Sequence, residues 1–234
     1  MATAAVQVRT ASRFRPKYFV FGIVGLMIAY VIQHNESFLW HHDDPVWHHY
    51  QPFRWYLLPH GLAGACAILL GPLQFSDRLR QRYTKFHRVV GRFYIFGALV
   101  AAPLGAYIQY FEERLGGTRS FSIAGAVDAA LLMGTTAIAF GFILKRKVQQ
   151  HRQWMTRSFA VAIVFLEVRV IAGLGGWDGN PKVIETIVWV CLAMALFVGD
   201  AVLQIQEYLR TRPGVRAAVH RCLRGTAGSA VNGG

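Results

Sequence analysis

The chain has 234 residues, of which 54% are hydrophobic and 16% are charged, and its mean hydropathy is +0.32. Soluble domains of this length rarely have such a positive value, so the composition favours an integral membrane protein. The net charge of +13 could indicate nucleic acid binding, but the basic residues lie in short segments between apolar runs and no recognition motif is present. We therefore expect the lipid bilayer, and no nucleic acid, as the partner of the basic surface.

Six apolar segments are candidate transmembrane helices. In chain order they span residues 18–33, 55–75, 93–111, 121–144, 158–177 and 183–203. The first resembles a signal peptide, but no small-x-small cleavage site follows Gln33, so we expect it to stay as the first transmembrane helix. The fold class predicted is all-α, an integral membrane bundle of six transmembrane helices over residues 18–206. A basic segment, 1–17, precedes it, and a basic tail, 207–234, follows it, on the membrane surface or disordered.

Basic residues are distributed very unevenly between the two sides of this bundle. Twenty of the 25 Lys and Arg residues lie in segments 1–17, 76–92, 145–157 and 207–234. Cytoplasmic loops are enriched in Lys and Arg, so this asymmetry predicts that both termini are cytoplasmic and that the chain lies in the cell inner membrane.

Ionisable side chains occur inside the predicted helices, where they are costly unless paired or hydrated. They are His60, Asp128, Glu167, Arg169, Glu185 and Asp200. Depth along the helices predicts an outer layer near His60, in which Arg169 pairs with Asp128 or Glu167, and a second layer near the cytoplasm. A second outer ligand beside His60 would have to come from a loop, for instance His34.

Two histidines begin helices at the cytoplasmic face, His87 in KFHRVVGRFY and His151 in QQHRQWMTRSF. Two imidazoles at similar depth on separate helices are the arrangement that a bis-histidine haem or a metal ion requires. The predicted cofactor-binding residues are His87, Arg92, Tyr94, His151 and Arg157, and the predicted metal ligands are His60, His87 and His151. Alternatively, these are polar residues at the membrane interface, with arginines that reach the headgroups.

The loop after the first helix is rich in histidine and acidic residues. It contains His34, His41, His42, His48 and His49 with Glu36, Asp43 and Asp44. Such side chains suit zinc or copper. Because adjacent histidines rarely point at one centre, we favour an interfacial loop with solvated histidines.

Three segments, HGLAGACAILLGPLQF, HRVVGRFY and HRQWMTRSF, follow one another in matching membrane positions. Together they resemble the motif series of a family of bacterial multi-pass membrane proteins, the domain of unknown function DUF2306. The resemblance covers about residues 55–175 and implies the membrane architecture, but no activity. By position it marks His60, Gly71, Pro72, Gln74, His87, Arg88, Gly91, Arg92, Tyr94, His151, Trp154, Met155, Arg157 and Arg169.

Three functions are compatible with this pattern. The first, which the two cytoplasmic-face histidines favour, is a redox protein that holds b-type haem or a transition metal, with a quinone or another redox partner. The second is a proton-coupled transporter in which His60, Asp128, Glu167 and Arg169 form a relay, and in which Pro59, Pro72 and Pro103 mark interrupted helices. The third is a structural or accessory membrane protein. Whether the chain is an enzyme, and its oligomeric state, stay open.

Overall fold

A computed structural model describes residues 16–36, 41 and 45–211, and within these ranges the chain is helical, with no strand. The predicted all-α class is therefore confirmed for the described residues. The helices are α1 (Pro16–His34), α2 (Pro45–Tyr50), α3 (Arg54–Gln74), α4 (Asp77–Arg82), α5 (Thr84–Arg114), α6 (Arg119–Leu144), α7 (Val148–Ala162), α8 (Val164–Gly175) and α9 (Pro181–Thr211), with a 3₁₀ turn at Gln51–Phe53. Residues 1–15 and 212–234, most of the two predicted basic segments, lie outside the described residues.

Five helical segments are long and apolar enough to cross a membrane. They are Trp47–Gln74, Thr84–Arg114, Arg119–Leu144, Val148–Gly175 and Pro181–Ile205. The apolar part of α1, Phe19–His34, is shorter. At about 1.5 Å per residue it measures about 24 Å, against a hydrocarbon core of about 30 Å. Five of the six predicted spans are thus supported by their length, and the span formed by α1 stays a prediction.

Successive long helices run in opposite directions and define two ends of the bundle. We call the end that holds the turns at 75–83 and 145–147 the basic end, and the end that holds the turns at 115–118 and 176–180 the opposite end. Helices α3, α5, α6 and α7 pack in sequence, α9 packs on α7 and α8, and α1 packs on α8. This order places the starts of α5 and α7 at the basic end, as the sequence predicts.

Small residues allow α3 and α5 to approach closely. A Cβ atom on Gly97 would lie 2.6 Å from the carbonyl oxygen of Ala63 and 3.2 Å from the amide nitrogen of Ala67. Ala67 and Ala98 are buried in the same core. Membrane helices associate by such close packing, because lipid offers no hydrophobic driving force between them. This contact fixes the register between the motif residues of α3 and those of α5.

The expected proline interruptions are wrong. Pro59 and Pro72 lie inside the continuous helix α3, and Pro103 lies inside the continuous helix α5. Transmembrane helices tolerate proline where neighbouring groups satisfy the freed carbonyl. A helix is interrupted instead at Ile163. This residue separates α7 from α8, and the two helices together form one candidate membrane span.

Candidate functional site

At the basic end, His151 is held by a hydrogen bond to the neighbouring helix α6. Its Nδ1 atom lies 2.8 Å from the carbonyl oxygen of Ala139, so Nδ1–H is the donor. The neutral ring then has an unprotonated Nε2 atom, which is an acceptor. The imidazole is half-buried at the start of α7. One nitrogen of His151 is therefore fixed, and the other is available to a ligand.

His87 is held by the side chain of Gln74, the last residue of α3. The Gln74 amide satisfies its surroundings when its nitrogen donates to His87 Nδ1 at 3.2 Å and to the His87 carbonyl at 3.3 Å. In this orientation its oxygen accepts from the Gly91 amide at 3.2 Å. A Cβ atom on Gly91 would lie 3.0 Å from the same amide, so glycine leaves room for it. Two of the three marked segments therefore meet at Gln74, His87 and Gly91.

The two imidazoles are electrostatic neighbours. Charges on His151, Arg80 and Arg88 all act on His87, and the described residues contribute no acidic group among the main influences on it. Arg80 also forms an ion pair with Asp77 at 2.6 Å. Arg88, together with Arg80, which Asp77 partly neutralises, makes the surroundings of His87 positive and suited to a ligand that carries negatively charged groups.

The other predicted cofactor residues do not join this pair. Tyr94 is fully buried and its Oη atom lies 2.8 Å from the hydroxyl oxygen of Ser158. Arg157 forms an ion pair with Asp200 of α9 at 2.7 Å and lies over the ring of Trp154. Arg92 is exposed. The predicted cofactor residues therefore do not form one site. Only His87 and His151 are neighbours, whereas Tyr94 is bonded to Ser158, Arg157 is paired with Asp200 of α9, and Arg92 is exposed.

The opposite end holds a second polar group, and its pairing differs from the expectation. Arg169 of α8 forms an ion pair with Glu36, which follows α1, and not with Asp128 or Glu167. The expected pairing is therefore wrong. Glu36 lies 133 residues from Arg169 in the chain, and it becomes available because α1 packs on α8.

Three histidines of the opposite end, His34, His49 and His60, have individual partners. His60 Nδ1 donates to the carbonyl oxygen of Ala101 at 2.9 Å. His34 Nε2 lies 3.1 Å from Asp178, so it does not serve as a second ligand beside His60. His49 Nε2 lies 2.9 Å from Glu112. His42, Asp43 and Asp44 of the predicted loop group lie outside the described residues.

No metal centre built from three or more side chains is found in the part of the chain that the structure describes. Within it, His, Cys, Asp and Glu form no group of three or more that could hold one ion. His60 lies towards the opposite end, whereas His87 and His151 lie at the basic end. The three predicted metal ligands therefore do not share one centre.

Two carboxyl groups lie inside the bundle away from both ends. Asp128 is only 8% exposed, and its Oδ1 atom has no hydrogen-bond partner. Glu167 is half-buried and lies near Cys191 of α9. The sequence predicted that Arg169 pairs with one of these two carboxyl groups, and among the described residues Asp128 has no ion-pair partner.

The sequence analysis did not identify Thr136 as a partner of the marked segments. This residue is fully buried on α6, and its Oγ1 atom lies 2.7 Å from the Ser158 hydroxyl. Ser158 therefore joins Tyr94 and Thr136 in a buried three-hydroxyl group. The signal was a pair of threonines in the apolar run GTTAIAF, where a polar side chain needs a partner.

Comparison with known proteins gives one match. The sequence model of a family described as "Predicted membrane protein (DUF2306)" matches residues 57–203. No curated protein and no solved structure matches the chain. The matched segment includes the histidine pair, the buried hydroxyl group and all five long apolar spans apart from their ends. Since it covers well over half of the sequence, the chain belongs to the DUF2306 family of predicted membrane proteins.

Proposed function

We propose that this multi-pass membrane protein is a redox protein that binds b-type haem or a transition metal between His87 and His151. One observation carries the proposal: both imidazoles are oriented through Nδ1 by a group from the neighbouring helix. A histidine that binds a metal usually donates its outer N–H to such a group, which sets the ring orientation and the tautomer. His151 has this arrangement, with Nε2 as the ligand atom, and His87 reaches it after a change in the Gln74 amide.

The two histidines fit this role to different degrees. His151 donates from Nδ1 to a carbonyl, which leaves the Nε2 lone pair ready for a metal. His87 accepts at Nδ1 from the Gln74 amide, which places the proton on Nε2. Binding through His87 Nε2 requires the Gln74 amide to turn, so that its oxygen accepts a proton from Nδ1. The cationic surroundings from Arg80 and Arg88 suit the carboxylates of a haem.

We place the basic end in the cytoplasm and the chain in the inner membrane, with α1 as a sixth crossing. The uneven distribution of Lys and Arg supports this orientation. A site at this depth would be within reach of a membrane quinone or of a cytoplasmic redox partner. The basic segments 1–17 and 207–234 would then both be cytoplasmic.

A proton-coupled carrier is the second candidate, and the buried carboxyl group of Asp128 favours it. Two of the four residues of the relay proposed from the sequence have other partners in this structure. Arg169 is paired with Glu36, and His60 donates to a backbone carbonyl. A structural or accessory role is the third candidate, because the same hydrogen bonds also hold helices together.

The test is an ultraviolet-visible spectrum of the detergent-purified chain, oxidised and then reduced with dithionite, together with metal analysis by mass spectrometry. We expect a Soret band with sharpened α and β bands after reduction, or a stoichiometric metal. His87→Ala and His151→Ala should lose the signal. His48→Ala is the matched control, because His48 is an exposed histidine at the opposite end.

The outcomes separate the three candidates. A flat spectrum with no bound metal would exclude the redox proposal. Flux of protons or solute into liposomes, lost in Asp128→Asn, would then favour the carrier. If neither signal is found and the histidine variants lose only thermal stability, the residues serve helix packing.

A further inference from the structure

The carboxyl group of Asp128 lies in the interior of the bundle. It belongs to the buried stripe of α6, which contains Ala124, Gly125, Asp128, Ala129, Leu132, Thr135, Thr136 and Ala139. These positions repeat at helical spacing and share one face. Asp128 is ten residues into a helix of 26, so its side chain lies well inside the hydrocarbon region if α6 spans the membrane.

Nothing in the described protein neutralises this carboxyl group. Its Oδ1 atom is buried without a hydrogen-bond partner. None of the ion pairs formed by the described residues includes Asp128. An ionised carboxylate in such a place is strongly disfavoured, because it loses its hydration and gains no counter-ion.

Gln109 of α5 packs on the same stretch of α6. A Cβ atom on Gly125, one turn from Asp128, would lie 2.9 Å from Gln109 Cγ. Gln109 Oε1 is also buried without a hydrogen-bond partner. A protonated carboxyl group has a hydrogen to donate to such an acceptor, whereas an ionised carboxylate can only accept.

A metal cation fits this place less well than a proton. Hard cations need about six oxygen ligands. Among the residues whose placement is described, no cluster of three His, Cys, Asp or Glu side chains could supply them. One carboxyl group and one amide oxygen are too few without extensive hydration.

We infer that Asp128 is a proton-binding site in the membrane interior, occupied by a proton in the resting protein, and that Gln109 is the neighbouring acceptor. The site lies apart from His87 and His151 and does not depend on a cofactor there. Binding is a simple protonation of the carboxylate, in which the O–H bond forms with a proton from solvent and no other bond changes.

Infrared spectroscopy of the full-length purified protein tests this inference. We expect a carbonyl band of a protonated carboxylic acid at neutral pH, which shifts in heavy water and is lost in Asp128→Asn. Asp200→Asn is the matched control, because it makes the same chemical change at a carboxylate paired with Arg157, and it should keep the band. Circular dichroism and gel filtration verify that both variants are folded.

A second measurement uses only the wild-type chain, in case Asp128→Asn does not fold. A hydrophobic carbodiimide reacts with protonated carboxyl groups, so peptide mapping by mass spectrometry should find the label on Asp128 and not on Asp200.

Gln109→Leu removes the neighbouring acceptor and should shift the infrared band without removing it. The inference is wrong if no acid band depends on Asp128, or if sodium ions abolish the band and the labelling, since the occupant would then be a cation.

Discussion

The phenolic oxygen of Tyr94 lies 2.8 Å from the hydroxyl oxygen of Ser158, and neither side chain is exposed to solvent. Ser158 also lies 2.7 Å from Thr136 Oγ1. One serine on α7 is therefore hydrogen-bonded to both α5 and α6. In a core built mainly from apolar residues, this contact helps to specify how the three helices align.

Ser158→Ala should destabilise the protein by about 1–2 kcal/mol, because it leaves two buried hydroxyl groups, on Tyr94 and Thr136, with one partner fewer. The midpoint of unfolding in detergent measures this loss. The control is Thr156→Ala, since the Thr156 hydroxyl bonds only to the carbonyl of Arg152 on its own helix. We expect the control to change stability by no more than about 0.5 kcal/mol. Equal effects of the two variants would contradict a special role for Ser158.

Gly97→Ala should destabilise the α3–α5 contact by about 1–3 kcal/mol. The added methyl group would lie 2.6 Å from the carbonyl oxygen of Ala63, and backbone atoms cannot move aside as a flexible side chain can. Gly64→Ala is the matched comparison, because nothing lies within 4 Å of the new Cβ atom there. That variant should be neutral or more stable by up to about 1 kcal/mol. Thermal unfolding of both proteins in the same detergent distinguishes them, and a neutral Gly97→Ala would mean that the helices are further apart.

The ion pair between Arg169 and Glu36 should have a measurable coupling energy. Arg169→Ala and Glu36→Ala, alone and combined, form a double-mutant cycle, for which we expect about 1 kcal/mol of interaction. The reference cycle is Arg80 with Asp77, a similarly half-buried pair whose members lie three residues apart on one short helix. That pair should give no more than about 0.5 kcal/mol. No coupling in the first cycle would show that α1 does not depend on α8 for its position.

Cysteine labelling in intact cells tests the number of crossings and their orientation. In a chain whose native cysteines are replaced by alanine, Gly117→Cys should react with an impermeant maleimide, and Arg146→Cys should react only after permeabilisation. These positions lie in turns at the two ends of the bundle. Thr3→Cys reports on α1, because six crossings place it on the same side as residue 146. Labelling of Thr3→Cys in intact cells would reduce the number of crossings to five.

The long helices could be predicted because each contains an apolar run that matches the thickness of a bilayer. One helix start could also be predicted: α5 begins at Thr84, ahead of the apolar boundary near residue 93, in agreement with the expectation that KFHRVVGRFY opens this helix. The interruption at Ile163 could not be foreseen, because AVAIVFLEV contains neither glycine nor proline.

The sequence predicted which residues lie at the candidate site, but not which groups they contact. His87 and His151 begin helices at one end, and the apolar pattern determines that placement. The partners of these histidines, a glutamine amide and a backbone carbonyl, depend on the rotation of α3 and α6, which sequence periodicity does not give. The pairing of Arg169 with Glu36 likewise depends on α1 reaching α8, a contact between segments far apart in the chain.

The interruption at Ile163 divides one membrane span between different neighbours. Helix α7 packs mainly on α6, and α8 packs on α9 and α1. The bond from His151 to Ala139 joins the first half of this crossing to α6, and the ion pair of Arg169 joins the second half to Glu36, which follows α1. This one crossing therefore links the histidine at the basic end to α1 at the opposite end.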